Sequence, residues 1–194
     1  MSRFHLGLII NPLAGLGGPA GLKGSDGVAE QALALGSQPL AAARTRTALE
    51  CLRAVQERLE FLTFPGPMGA DLLAEMGFSY RVLSELHDRL SSAADTRKAV
   101  EQLQDAGVAL ILFAGGDGTA RDICAAVREG QPVLGIPAGV KIQSGVYAVS
   151  PRAAGELTAR LIEGGSAYSP QRTNTPIATM ARTASSHASP TVSA

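Results

Sequence analysis

The hexapeptide Ala-Gly-Gly-Asp-Gly-Thr at residues 114–119 follows the apolar run Val108–Phe113 and precedes the segment Ala120–Val127. The apolar run is typical of a buried parallel strand, and the segment after the hexapeptide has the pattern of a helix. Glycines in such a turn let a bulky ligand approach the main chain closely. The amides at the start of the next helix favour an anion, typically phosphate. The sequence therefore predicts a strand, a glycine turn and a helix start that together bind a phosphate-bearing ligand.

The acidic residue inside this turn, Asp117, is unexpected. Its carboxylate would repel a phosphate unless a metal ion or a hydroxyl to be deprotonated lies between them, and this favours a catalytic role. The other interpretation is that Asp117 caps a helix that begins near Thr119. Asp122, one turn further on, is a candidate metal ligand, although an acid in the first turn of a helix also favours the helix dipole.

Two motifs carry a resemblance to a known family. Gly-Gly-Asp-Gly-Thr after a hydrophobic strand resembles the signature of the NAD kinase and diacylglycerol kinase superfamily, whose members phosphorylate a hydroxyl with ATP or a related donor. Ile-Asn-Pro-Leu-Ala-Gly at residues 10–15 resembles the first-strand loop of the same superfamily. With the glycines that continue to Gly27 and the Gly-Ile-Pro-Ala-Gly-Val-Lys string at residues 135–141, the chain is most similar to the bacterial and archaeal ATP-NAD kinase-like branch, which includes acetoin-catabolism X-type proteins.

The resemblance implies transfer of a phosphoryl group from ATP, or from polyphosphate, to the 2′-hydroxyl of NAD to give NADP. It implies Mg²⁺ as the cofactor that accompanies ATP, and Asp117 as the catalytic general base or hydroxyl-orienting group. Lys141 adds a point charge suited to phosphate. The residues that we expect to bind the nucleotide are Asn11, Gly15, Gly17, Gly115, Gly116, Gly118, Thr119 and Lys141.

Strand and helix patterns alternate along the chain. Strands are predicted at residues 6–10, 61–64, 79–83, 108–113 and 132–136, of which the first and fourth have the pattern of buried strands. Helices are predicted at residues 28–35, 45–59, 70–76, 97–106, 120–127 and 151–163. This alternation predicts an α/β, doubly wound domain with a mainly parallel sheet. The kinase-like domain is predicted to occupy residues 1–168.

The last part of the chain differs in composition. Residues 169–194 are rich in Ser, Thr, Ala and Pro and lack hydrophobic periodicity, so we expect a disordered tail. The resemblance covers the N-terminal domain of the family, and the family's second, β-rich domain is expected to be missing. A truncated and inactive kinase is therefore one of the expectations.

Charge and hydropathy limit the partners. Lys plus Arg and Asp plus Glu are 17 each, so no basic field attracts nucleic acid or anionic lipid. No apolar run approaches the roughly 20 residues of a membrane-spanning helix, and we expect a cytoplasmic protein. Cys51 and Cys124 lack metal-type spacing. The sequence leaves a homo-oligomer open.

Two other functions stay open. The chain could be a non-catalytic nucleotide-binding module or a degenerate kinase fragment, which would bind ATP or NAD without turnover. A lipid or sphingoid kinase shares both signatures, but the chain lacks the basic amphipathic stretches that contact membranes.

Overall fold

The structure, a computed structural model, describes residues 3–15, 40–83, 92–139 and 142–164. Within these ranges five strands form one sheet: β1 Phe4–Ile10, β2 Leu59–Thr63, β3 Tyr80–Val82, β4 Leu110–Gly115 and β5 Val133–Pro137. Their order is β3-β2-β1-β4-β5, and every neighbouring pair is parallel. Gly17, Lys141, the predicted helix at residues 28–35 and the predicted tail at residues 169–194 lie outside the described residues.

Helices cover both faces of the sheet. They are α1 Ala41–Glu50, α2 Ala70–Met76, α3 Ala93–Asp105, α4 Asp117–Ala126 and α5 Pro151–Glu163, with short 3₁₀ helices at Arg53–Arg58 and Gly66–Met68. Alternate residues of a strand point to opposite faces, and the mostly buried residues of β1, β2, β4 and β5 show that both faces of these strands are covered. All three residues of β3, at one edge of the sheet, are exposed. The prediction of a doubly wound α/β fold is confirmed.

The two faces of the sheet carry separate hydrophobic cores. In the first core, Leu8 and Ile10 of β1 pack with residues of α1, α2 and α5. In the second, Ile9 of β1 and Phe113 of β4 pack with residues of α3 and α4. α1 lies between β1 and β2 in the chain, and α4 lies between β4 and β5. Because these two helices belong to different cores, they pack on opposite faces of the sheet.

The helix that periodicity predicts at residues 45–59 is wrong in extent. α1 ends at Glu50, the 3₁₀ helix Arg53–Arg58 follows, and β2 already begins at Leu59. Leu49, Leu52 and Val55 are all buried, as their spacing predicts. A three-residue spacing suits a 3₁₀ helix as well as an α-helix, so this pattern could not separate the two.

The start of α3 also differs from its prediction at Arg97. Ser92 is the N-cap, its hydroxyl accepts a hydrogen bond from the Asp95 amide, and the Asp95 carboxylate accepts one from the Ser92 amide. This reciprocal pair is a capping box, and it begins the helix at Ala93. By contrast, α5 begins with Ser150 as N-cap and Pro151 in its first turn, as predicted.

Candidate functional site

The candidate site lies where β1, β4 and β5 end, at the carboxyl edge of the sheet. The Asn11 amide, after β1, donates to the Ala114 carbonyl over 2.9 Å. The Ala138 and Gly139 amides, after β5, donate to the Gly115 carbonyl over 2.9 and 3.0 Å. These backbone hydrogen bonds hold the ends of three strands together and fix the positions of the loops that follow them.

The strand order predicts a crevice at this edge, between the loops that follow β1 and β4. β1 and β4 are neighbours; α1, between β1 and β2 in the chain, and α4, between β4 and β5, belong to different cores. Ligands of open α/β sheets bind outside the carboxyl ends of strands at such a switch point. Asn11 follows one of these two strands, and the turn at residues 115–119 follows the other. The two sequence motifs therefore flank the crevice from its two sides.

Asn11 and Thr119 connect the two motifs directly. The side-chain amide of Asn11 donates to the Thr119 hydroxyl over 2.9 Å, and its side-chain carbonyl accepts from the Leu13 amide over 3.0 Å. Thr119 is only 4% exposed. A Cβ built on Gly115 would overlap the Thr119 side chain, so a larger residue at position 115 would push Thr119 away from Asn11.

Asp117 is the first residue of α4, two residues before the predicted helix start near Thr119, and Gly116 is the N-cap. The α4 N-terminus forms no side-chain cap, so the capping interpretation of Asp117 is wrong. Instead the half-buried carboxylate accepts hydrogen bonds from the Gln143 amide over 3.0 and 3.2 Å and from the Ser144 amide over 3.0 Å. Both carboxylate oxygens are held by the loop after β5.

The start of α4 also offers backbone donors. The first hydrogen bond within the helix runs from the Ala120 amide to the Gly116 carbonyl. By helix geometry, the amides of Asp117, Gly118 and Thr119 have no carbonyl acceptor in their own helix. They lie beside the Asp117 carboxylate, and the positive end of the helix dipole stabilises a negative charge there.

Tyr147 completes this arrangement, and sequence reasoning missed it. Its hydroxyl donates to the Gly116 carbonyl over 2.6 Å, and its ring packs against the ring of Phe113, with 5.3 Å between the two ring centroids. Burial raises the pKa of the Tyr147 phenol, and the neighbouring Asp117 carboxylate raises it further. The phenol therefore stays protonated and remains a donor. Gly135, in the interior of β5, was the available signal, because a glycine there marks close approach of another group.

The comparisons with known proteins agree with the motifs. The family profile of the ATP-NAD kinase N-terminal domain matches residues 6–166. The chain belongs to this family. The resemblance drawn from residues 114–119 and 10–15 is thereby confirmed. The search of curated proteins gave no match.

Within this ATP-NAD kinase domain, the structure gives Gly15 a packing role. Gly15 is buried, its φ is +88°, and a Cβ on it would lie 2.7 Å from the Ala138 carbonyl oxygen. Gly116 and Gly139 also approach closely, since a Cβ on Gly139 would lie 2.7 Å from the Gly116 Cα. Side chains at these positions would separate the loops after β1, β4 and β5. Their contacts with a nucleotide, like those of Gly17 and Lys141, stay predictions.

Sequence reasoning missed one cation that reaches the carboxyl edge of the sheet. Arg44, half-buried in α1, directs its Nη1 to the Pro137 carbonyl at 3.4 Å. Pro137 is paired with Gly115 in the sheet register. Arg44 therefore reaches the carboxyl edge from the face that carries the first core, opposite to α4.

Carboxylates suited to a metal are sparse in the described part of the chain. Asp122 pairs with Arg97, at 3.7 Å between Oδ1 and Nη2. No group of three or more His, Cys, Asp or Glu residues is close enough to hold a metal ion in the described ranges. No described helix has the length and apolar character to cross a membrane.

Proposed function

We propose that this domain transfers a phosphoryl group from ATP, or from polyphosphate, to the 2′-hydroxyl of NAD. One observation carries the proposal: the Asp117 carboxylate, at the start of the helix that follows β4, is fixed by the Gln143 and Ser144 amides of the loop after β5. A carboxylate in this position is next to donors suited to phosphate, and it supplies what the glycine turn alone lacks, a base.

Phosphoryl transfer depends mainly on positioning and on neutralising charge. In the proposed reaction the ribose oxygen forms a bond to the terminal phosphorus, the bond from that phosphorus to its bridging oxygen breaks, and ADP leaves. The hydroxyl proton passes to Asp117. The amides of Gly118 and Thr119 would face the phosphates.

We expect Mg²⁺ to enter this site with the donor. The described residues include no group of three or more metal-ligating side chains, and Asp122 is paired with Arg97, so the described side chains alone do not enclose a magnesium ion. Mg²⁺ commonly keeps its waters and binds through substrate phosphates. The proposal therefore treats MgATP as the substrate and requires no resident metal.

The partners that follow are NAD and ATP. Family membership supports both as substrates. The formal charge of zero supports a protein that binds neither nucleic acid nor anionic membranes, and we place it in the cytoplasm, where both nucleotides are available.

The second candidate is a nucleotide-binding module without turnover. One observation favours it: both oxygens of the Asp117 carboxylate already accept hydrogen bonds from loop amides, and Asn11 is already bound to Thr119. In this function Asp117 would hold the loop of residues 142–147 in place rather than accept a proton.

Formation of NADP by the purified full chain from NAD, ATP and Mg²⁺ tests the proposal. NADP formation above that of a heat-denatured sample supports the kinase. Binding of ATP or NAD by calorimetry without NADP formation supports the second candidate. Absence of both binding and turnover, for a chain that is folded by circular dichroism, contradicts both.

A further inference from the structure

Arg44 is the cation of the carboxyl edge that the proposed function leaves without a role. We propose that its guanidinium binds a phosphate group of the nucleotide from the side of the crevice opposite to Asp117. This inference rests on the proposed function in one respect, that the ligand of the crevice is a nucleotide.

The position of Arg44 supports this role. Its guanidinium lies beside Pro137, which is paired with Gly115, and neighbouring strands are about 4.8 Å apart. The carbonyl that Arg44 contacts thus belongs to a residue one strand spacing from Gly115 in the glycine turn. Since α1 packs in the first core and α4 in the second, a ligand over the end of β4 would have Arg44 on one side and Asp117 on the other.

The donors of Arg44 are mostly unused in the described residues. Its one hydrogen bond among these residues, 3.4 Å to the Pro137 carbonyl, is longer than the roughly 2.7–3.2 Å usual for N–H donors. A guanidinium has five N–H donors in a planar fork that suits two oxygens of one phosphate. A single weak contact to a carbonyl leaves most of that capacity for a ligand.

Arg44 and Arg46 lie on the same helix but differ in their partners. Arg46 pairs with the Glu75 carboxylate, whereas Arg44 has no carboxylate within 4.0 Å among the described residues. Arg44 is also half-buried in the first turns of α1, where no acidic residue occurs. A positive charge near the positive end of a helix is unfavourable, and a bound anion would relieve it.

The test measures binding of ATP and of adenosine to the full chain by calorimetry, because only ATP carries phosphates. We expect Arg44→Met to weaken ATP binding about tenfold to a hundredfold, as expected for loss of a charged hydrogen bond, and to leave adenosine binding unchanged. Arg46→Met is the matched control on the same helix and should bind ATP like the wild type. Arg44→Gln keeps an N–H donor without the charge, and should also lose ATP affinity while remaining folded.

Three results would overturn the inference: equal ATP affinity in wild type and Arg44→Gln, equal losses for ATP and adenosine, or a folded wild type that does not bind ATP. The assay of NADP formation tests the proposed function separately from the role of Arg44. If ATP binding depends on Arg44 but no NADP forms, the kinase proposal fails and the phosphate contact stands.

Discussion

The side-chain amide of Asn11 donates a hydrogen bond to the Thr119 hydroxyl over 2.9 Å, across 108 residues of sequence. Asn11 belongs to the motif at residues 10–15 and Thr119 ends the motif at residues 114–119, so this contact joins the two segments on which the family resemblance depends. Thr119 is buried and Asn11 is half-buried, which means that water cannot easily replace the bond at Thr119. The contact fixes the loop after β1 relative to the start of α4.

Asn11→Leu should therefore destabilise the fold. The substitution leaves the Thr119 hydroxyl and the Leu13 amide without their partner, and an unsatisfied buried polar group costs about 1–3 kcal/mol. Chemical denaturation measures the change in the free energy of unfolding. Thr119→Val should cost less, because half-buried Asn11 can turn to water. If the two residues are in direct contact, the change in unfolding free energy of the variant carrying both Asn11→Leu and Thr119→Val should differ from the sum of the single changes by about 0.5–3 kcal/mol. Additive changes would contradict the contact.

Tyr147→Phe should lower stability by about 0.5–1.5 kcal/mol, the usual net worth of a hydrogen bond, because the Gly116 carbonyl loses one of its two donors and keeps only the Ala120 amide. The loss depends on pH. The folded state raises the pKa of Tyr147 above its unfolded value of about 10, mainly through burial, so this contribution is complete below that pH and is lost as the pH rises above it. Unfolding of both proteins from pH 8 to 11 measures this, and a difference that grows with pH would contradict the account.

Gly135→Ala should cost about 1–3 kcal/mol by overpacking. A Cβ on Gly135 would overlap the Tyr147 ring, and the ring cannot move without giving up its hydrogen bond to Gly116. Denaturation of Gly135→Ala in the wild type and in a Tyr147→Ala background separates this cause from a loss of strand structure. Equal costs in the two backgrounds would show that Tyr147 is not the obstacle.

Ser92→Ala should destabilise the domain by about 1 kcal/mol through loss of the α3 cap. The hydrogen bonds from the Ser92 amide and hydroxyl lower the pKa of Asp95, so the contribution of Asp95 is present above the unfolded value of about 3.9 and is lost as the pH falls below it. Thermal unfolding of wild type and Asp95→Asn should therefore differ at pH 7 and converge in acid. An unchanged difference at pH 2 would contradict this.

All five predicted strands exist within a few residues. β1, β2, β4 and β5 were predictable because parallel strands buried on both faces are continuous apolar runs, whereas the three residues of β3 are exposed. Helix boundaries were less predictable. The Ser92 and Asp95 pair was a readable capping signal, whereas the spacing of Leu49, Leu52 and Val55 fits two kinds of helix.

The site was only partly predictable. The glycine turn and Asp117 could be found because they are contiguous, but the groups that hold Asp117 are backbone amides, which leave no mark on the sequence. Arg44 and Tyr147 reach their partners from 93 and 31 residues away. Such contacts depend on how the strands are ordered in the sheet, and local pattern does not carry that information.

The central claim is that the Asp117 carboxylate acts on the acceptor hydroxyl. The most direct measurement is the rate of NADP formation by the full chain, by Asp117→Asn and by Tyr147→Phe at saturating NAD and MgATP. Tyr147→Phe disturbs the same turn but keeps the carboxylate, so it controls for loop displacement. We predict a loss of about 10²–10⁴-fold for Asp117→Asn, typical of a general base, and a much smaller loss for Tyr147→Phe. Turnover by Asp117→Asn equal to that of the wild type, or equal to that of Tyr147→Phe, would contradict the claim.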